Sequence, residues 1–251
     1  MKRLQILCLL TICMVSAVQA QRNHSRLKLK TPVAKAQTEE GNKAVVIDRR
    51  LAVLRTSPSL YSRPIQRMSV GREVRVLEKK DGDGVEFYRV RALPNTQGWV
   101  QSEAVIGNFR KDDDQRLAKL IQASGGFEQI DKIAIFLEQF PTSRLRPNIL
   151  LLLGDLMEQE ALKLSQKAAK NLDRREMAAS GAPLHSFYLN FPALDRYGKI
   201  GINFLFNLNT KQFHYNGDSW FEIIRKYPNT SEAEEAAKRL EILTQKMDAK
   251  Q

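Results

Sequence analysis

The order of apolar and polar positions divides the 251-residue chain into four textures. The first is an apolar run from Leu4 to Val18, interrupted by Gln5, Thr11 and Ser16 and preceded by Lys2-Arg3. It exits through Ala17-Val-Gln-Ala20 into the polar stretch Gln21-Arg-Asn-His-Ser-Arg26. A basic start, an apolar core and a small-residue exit form the pattern of a cleaved export signal, so residues 1–20 are expected to be a signal peptide cut near Ala20. The run is too short and too interrupted for a membrane span, which needs about 20 apolar residues. Cys13 follows the bulky Ile12 instead of a small residue, so lipid anchoring is not expected. Residues 21–43 show no sustained apolar period and hold six Lys/Arg against two Glu. Such a stretch cannot offset its ordering entropy by burial, and it reads as a disordered basic tether.

From Ala44 to Gly107 the texture becomes β-rich. Val45-Val-Ile, Glu73-Val-Arg-Val-Leu and Phe87-Tyr-Arg-Val-Arg are enriched in branched and aromatic residues. Turn residues separate them: Ser57-Pro-Ser, Ser69-Val-Gly, Asp81-Gly-Asp-Gly and Pro94-Asn-Thr-Gln-Gly. Five or six short strands over residues 44–107 predict a small barrel.

Beyond Asn108 the period turns helical. Asp112-Asp-Asp suits the positive end of a helix, with Leu117, Leu120 and Ile121 on one face. Phe127, Ile130, Ile133, Ala134, Leu137 and Phe140 form a helical stripe that stops at Pro141. The apolar run Ile149–Leu153 predicts a buried helix start continuing through Leu156, Leu162 and Leu172 toward Ala179. The last helix begins with a capping box, Ser231-Glu-Ala-Glu234, and presents Ala233, Ala236, Ala237, Leu240, Leu243 and Met247. Between these helices, at about residues 180–217, lies an aromatic-rich segment. Ile202–Leu208 alternates and Gln212-Phe-His-Tyr215 follows across Asn207-Leu-Asn-Thr-Lys211, which predicts a two-stranded hairpin closed by Asn216-Gly217 and flanked by helices. Its rings are expected mainly in the core, with a groove between interrupted helices as the sharper alternative.

Composition narrows the chemistry. The formal charge is +12, and both cysteines, Cys8 and Cys13, lie in the expected signal. A mature chain would then have no thiol for a disulfide, a nucleophile or a metal. The charge is concentrated in front: +4 in the tether, +4 in residues 44–107 and +2 in the remaining 144 residues. In a cytoplasmic protein such a balance would point to nucleic acid. Export argues against that, and so does the lack of a basic stacking platform, so no nucleic-acid partner is expected.

Ala52-Val-Leu-Arg-Thr-Ser-Pro-Ser59, Val70-Gly-Arg-Glu-Val-Arg-Val-Leu77, Phe87-Tyr-Arg-Val-Arg91 and Gly98-Trp-Val-Gln-Ser-Glu-Ala-Val105 resemble, in order and spacing, the strands of bacterial Src-homology-3-like domains. Phe87 departs from the commoner Trp of that family. The resemblance implies a small β-barrel serving as an accessory module of an exported bacterial protein, and some members bind peptidoglycan or its peptides. Tyr61, Tyr88 and Trp99 are the candidate ligand-binding residues, because rings stack on sugar and peptide surfaces at low entropic cost. The competing reading is that Tyr88 and Trp99 simply pack the barrel.

A second likeness lies in the helices. Phe136-Leu-Glu-Gln-Phe-Pro-Thr-Ser143 parallels Ile223-Ile-Arg-Lys-Tyr-Pro-Asn-Thr230, and the junction resembles that of tetratricopeptide repeats, as does Leu152-Leu-Gly154. The prolines stand 87 residues apart, against a period of about 34, so the repeat is degenerate and interrupted. The fold class expected is therefore multi-domain α+β: an SH3-like barrel at 44–107, then a tetratricopeptide-like helical domain at 108–251 with an inserted β-hairpin.

No catalytic constellation emerges. There is no Gly-x-Ser-x-Gly elbow, no His-Glu-x-x-His stretch and no phosphate-cradling glycine loop. His24 falls in the tether, and His185 and His214 lack metal-ligand neighbours at suitable spacing. His214 reads as an outward strand residue. Asp112-Asp-Asp lacks the spacing of a calcium loop. No enzyme, cofactor or metal is expected; carboxylate pairs for glycan cleavage have no sequence signature, which leaves a lytic activity as the remotest alternative. The expected role is an exported, non-enzymatic binding or scaffold protein of the cell envelope. Its helical domain would meet a protein partner and its barrel would add a contact, peptidoglycan being the alternative principal ligand.

Overall fold

The computed structural model describes residues 41–92 and 94–248. The expected signal peptide and the tether as far as residue 40 lie outside the described residues. Seven strands form one antiparallel sheet: β1 (Asn42–Val46), β2 (Val53–Arg55), β3 (Pro64–Arg67), β4 (Glu73–Gly82), β5 (Val85–Ala92), β6 (Thr96–Gln101) and β7 (Val105–Ile106). The strand order is β3-β2-β6-β5-β4-β1-β7. Ala52, Leu54 and Met68 from one end of that order share a single core with Ala44, Val46 and Val105 from the other, so the sheet curls into a barrel. The first strand starts at Asn42, inside the segment read as tether, because Asn42 and Lys43 pair with Val76 and Arg75. The sequence reading missed β3, whose Pro64 and exposed Ile65 disguise an edge strand. Asp83 and Gly84, at φ 54° and 75°, make the two-residue turn joining β4 to β5, as the twist of antiparallel strands favours.

β1 is buried on two faces. Ala44 and Val46 point into the barrel core, whereas Val45 and Ile47 point out of it, into a second cluster with Ile106, Leu117, Ile121, Ile133 and Phe136. Side chains alternate across a strand, so the continuous apolar run Ala44–Ile47 serves two cores at once. The outer cluster is supplied by α1 (Asp113–Gln122) and α2 (Gly126–Gln139).

A polar knot reinforces this junction. Asp113, 2% exposed, accepts hydrogen bonds from the Gly107 N–H at 2.9 Å and from Arg110 Nε at 2.7 Å. Arg116 Nε lies 3.3 Å from the same carboxylate, and Arg110 and Arg116 also donate to the Val105 carbonyl. A buried carboxylate is tolerated only when paired and hydrogen-bonded in this way.

The helical region continues with α3 (Arg146–Asn171), α4 (Arg174–Ser180), α5 (Leu184–Leu189) and α6 (Asp195–Gly198). A hairpin of β8 (Phe204–Asn207) and β9 (Gln212–Tyr215) follows, then α7 (Asp218–Lys226) and α8 (Ser231–Asp248). None of the described helices is long and apolar enough to cross a membrane. Gly154 of α3 lets the Trp220 indole approach so closely that a Cβ there would fall 2.1 Å from Nε1. The rings of the 180–217 segment pack the core: Tyr188 stacks on Phe206 at 4.4 Å, and Tyr197 and Phe213 are buried.

Four local expectations are revised. The long helix stops at Asn171 instead of running to Ala179, because Leu172 is extended and the Asp173 side chain caps a new helix. The hairpin reverses within Asn207–Lys211 as expected, with Lys211 at φ 57°, but Asn216-Gly217 does not close it, because Gly217 caps α7. At α8 it is Thr230, not Ser231, whose hydroxyl accepts from the Ala233 N–H, at 3.3 Å. His214 faces inward at 5% exposure, since Glu158 of α3 takes its Nδ1 at 3.0 Å.

Glu158 ties three elements of the helical region together, α3, β9 and α8. Burial alone would push its carboxyl up, but His214, Lys246 Nζ at 2.6 Å and the Tyr215 N–H at 2.9 Å hold it at about 2. A depressed carboxyl contributes stability that is present above its unfolded value near 4.5 and lost as the pH falls toward 2. Solvent reaches the group, so its contribution is about 1–2 kcal/mol. Acid titration followed by circular dichroism should show this loss between pH 5 and 2, and Glu158→Gln should flatten it; an unchanged acid profile would refute the assignment. Ile47→Ala should cost about 2–4 kcal/mol. Because Ile47 joins the barrel to the helices, the loss should lower the melting of the two regions together, read by Trp99 and Trp220 fluorescence. Separate melting of the helices at unchanged temperature would contradict the shared core.

Candidate binding surface of the barrel

Strand alternation sorts the aromatic residues of the barrel. On β5, Tyr88, Val90 and Ala92 face inward and belong to the barrel core, so Arg89 and Arg91 face outward. On β6, Val100 faces inward, and Trp99 points to the opposite side. Trp99 is half-buried, and its direct cross-strand neighbours are Arg89 of β5 and Arg55 of β2. Opposed residues of an antiparallel pair share a face. The indole therefore lies on the outer surface between two guanidinium groups.

The row extends across the sheet. Arg89 is opposed to Glu78 of β4 and contacts that carboxylate at 3.4 Å. One pleat away, Arg91 stands between Arg75 and Gln97. Four arginines thus share this outer surface with one tryptophan and one glutamate. The exposed Arg89–Glu78 pair contributes little to stability.

Tyr61 sits in the turn between β2 and β3 with 89% of its surface exposed. The turn is well tied. Ser62 Oγ donates to the Ser57 and Ser59 carbonyls, each at 2.9 Å, and the Leu60 N–H donates to Asp83 Oδ2 at 2.7 Å. Arg55 Nη1 donates to the Ser62 carbonyl at 2.8 Å. Arg55 is therefore at once the strand partner of Trp99 and the anchor of the loop presenting Tyr61.

Tyr88 does not join them. It is 4% exposed, its ring meets Phe109 edge-on at 6.1 Å, and its hydroxyl accepts from Arg110 Nη1 at 3.3 Å. Burial pushes its phenol above the ordinary value. It packs the barrel where the sheet meets the helices, and it has no solvent-facing ring to offer. Of the three residues singled out in the sequence, two face solvent and one is structural. The flanking Arg55, Arg75, Arg89 and Arg91 were not singled out, and only Arg89 and Arg91, spaced by two on β5, carried a sequence signal.

Among the described residues, no group of three or more His, Cys, Asp or Glu side chains is placed to hold a metal ion. The surface offers a ring that can stack and guanidinium groups that can pair with anions. No curated protein and no solved structure matches the chain. Residues 51–106 match the family model of the bacterial SH3 domain. Strand order, inward and outward alternation and that match agree, and residues 51–106 are a bacterial SH3 domain.

Proposed function

We propose that the protein is an exported, non-enzymatic binding protein of the bacterial cell envelope, in which the barrel docks on peptidoglycan and the helical region receives a protein partner. The observation that carries the reading is Trp99 held outward between Arg55 and Arg89 on a bacterial SH3 domain. An anionic polymer of sugars and short peptides offers the complementary groups, with flat faces for the indole and Tyr61 and carboxylates for the arginines. The apolar start of the sequence supports export, and its position ahead of the barrel is that of a signal peptide. The helical pairs α2–α3 and α7–α8, each turning at an aromatic-proline step and closed by small residues such as Gly154 and Ala236, are read as degenerate tetratricopeptide-like hairpins. Such pairs act by stacking and by presenting a surface, which suits the scaffold role.

Purified protein mixed with murein sacculi should co-sediment, and Trp99→Ala should weaken binding by about 1–2 kcal/mol, or 5- to 30-fold. Tyr61→Ala should weaken it less, and Tyr88→Phe, which keeps the buried ring, should leave it unchanged. Retention of the wild type in the supernatant at low salt would end the peptidoglycan reading. Sedimentation abolished by salt and indifferent to Trp99→Ala would reduce it to general charge attraction.

A further inference from the structure

The end of α3 builds a cup far from the barrel strands in sequence. Leu172 is extended, and the Asp173 carboxylate accepts from the backbone N–H groups of Arg175 and Glu176 at 2.7 and 3.3 Å, starting α4 in a new direction. After Gly181 the chain forms α5, and the reversal at Leu208–Lys211 closes a further side. A cavity of about 270 Å³ opens between these elements. Leu172, Met177, Leu184 and Phe187 line it together with three alanines, and Tyr188 contributes the ring that stacks on Phe206.

Two charged residues line the cavity, Arg174 and Lys211, and no carboxylate does. Neither cation has an ion pair among the described residues. Lys211 is not on a slack loop. Its backbone is held at φ 57°, its N–H bonds the Asn207 carbonyl at 2.8 Å, and the Asn207 amide donates to the carbonyls of Lys246 and Met247. A left-handed lysine kept by surrounding bonds, beside an apolar cup, is a departure from local preference of the kind found at ligand sites.

We propose that this cup binds a small fatty-acyl amphiphile, an apolar chain ending in one carboxylate, with the chain against the leucine and alanine wall and the carboxylate between Arg174 and Lys211. The polarity of the lining decides between occupants. A peptide would bring N–H and C=O groups at every residue into a wall that offers two cations and one phenol, and buried amides without partners are costly. An acyl carboxylate concentrates its polarity in one group, which the two cations of the lining can pair. The cavity lies at the small end of ligand pockets, which span about 300–1,000 Å³, so a chain of medium length fits better than a long one.

Calorimetric titration with sodium decanoate, kept below its micelle concentration, tests the site on the whole protein. Saturable one-to-one binding is expected, with decylammonium failing to bind. Arg174→Glu combined with Lys211→Glu should weaken decanoate at least 10-fold. Ala178→Trp, which fills the cup and leaves its charge unchanged, should do the same. Arg174 and Ala178 are exposed, so these variants should keep the wild-type circular dichroism and melting. The proposal is overturned by the absence of saturable decanoate binding, by equal affinity for decylammonium, or by indifference to Ala178→Trp. Tighter binding of a peptide ending in Leu-Phe carboxylate would also overturn it, in favour of a protein terminus. The cup and the Trp99 surface use different residues, so either site can fail without the other.

Discussion

Four consecutive residues, Ala44-Val-Val-Ile47, hold the molecule together by belonging to two cores. Ala44 and Val46 complete the barrel, while Val45 and Ile47 are covered by α1 and α2. A strand apolar on one face needs one partner layer; a strand apolar on two faces needs two. The barrel is thereby fixed to the helices by the same apolar burial that stabilises each alone. Asp113 reinforces the arrangement, because its buried carboxylate takes the Gly107 N–H and the guanidinium groups of Arg110 and Arg116, which in turn donate to the Val105 carbonyl of β7.

This attachment decides which parts of the barrel remain free. The β1 and β7 side is consumed by the helices, and Tyr88 is sealed there beneath Phe109 and Arg110. The remaining outer surface, over β2, β6, β5 and β4, holds Arg55, Trp99, Arg89 and Glu78 in one row. Cations and an indole on that surface are not required by the barrel core, which is filled from the other face of the same strands. The cup at the end of α3 arises differently, from a helix that stops early and a chain that turns twice within a few residues.

Much of this was legible because local rules and global packing agree. The four barrel motifs announced the fold, the stripes of α2 and α8 announced helices, and Ile202–Tyr215 announced a hairpin. The misreadings fall where one partner, one cap or an edge position overrules the local pattern. His214 looks outward on a strand until Glu158, 56 residues earlier, is brought beside it. Ser231 looks like a cap until Thr230 takes the bond. The α3 pattern continues past Asn171, yet a well-placed aspartate at 173 starts a new helix instead. β3 gave little signal because an edge strand buries little and Pro64 hides it.

By itself, then, the sequence determined the order of β and helical regions and the concentration of positive charge toward the front, since these depend on periodicity and composition alone. Only the tertiary structure decided that Tyr88 is sealed while Trp99 and Tyr61 face solvent around Arg55. It also decided that Arg174 and Lys211, 37 residues apart, share one apolar cup. The physical reason is common to the two sites. Periodicity says which face a side chain takes, but what covers that face is set by contacts between segments far apart in the chain.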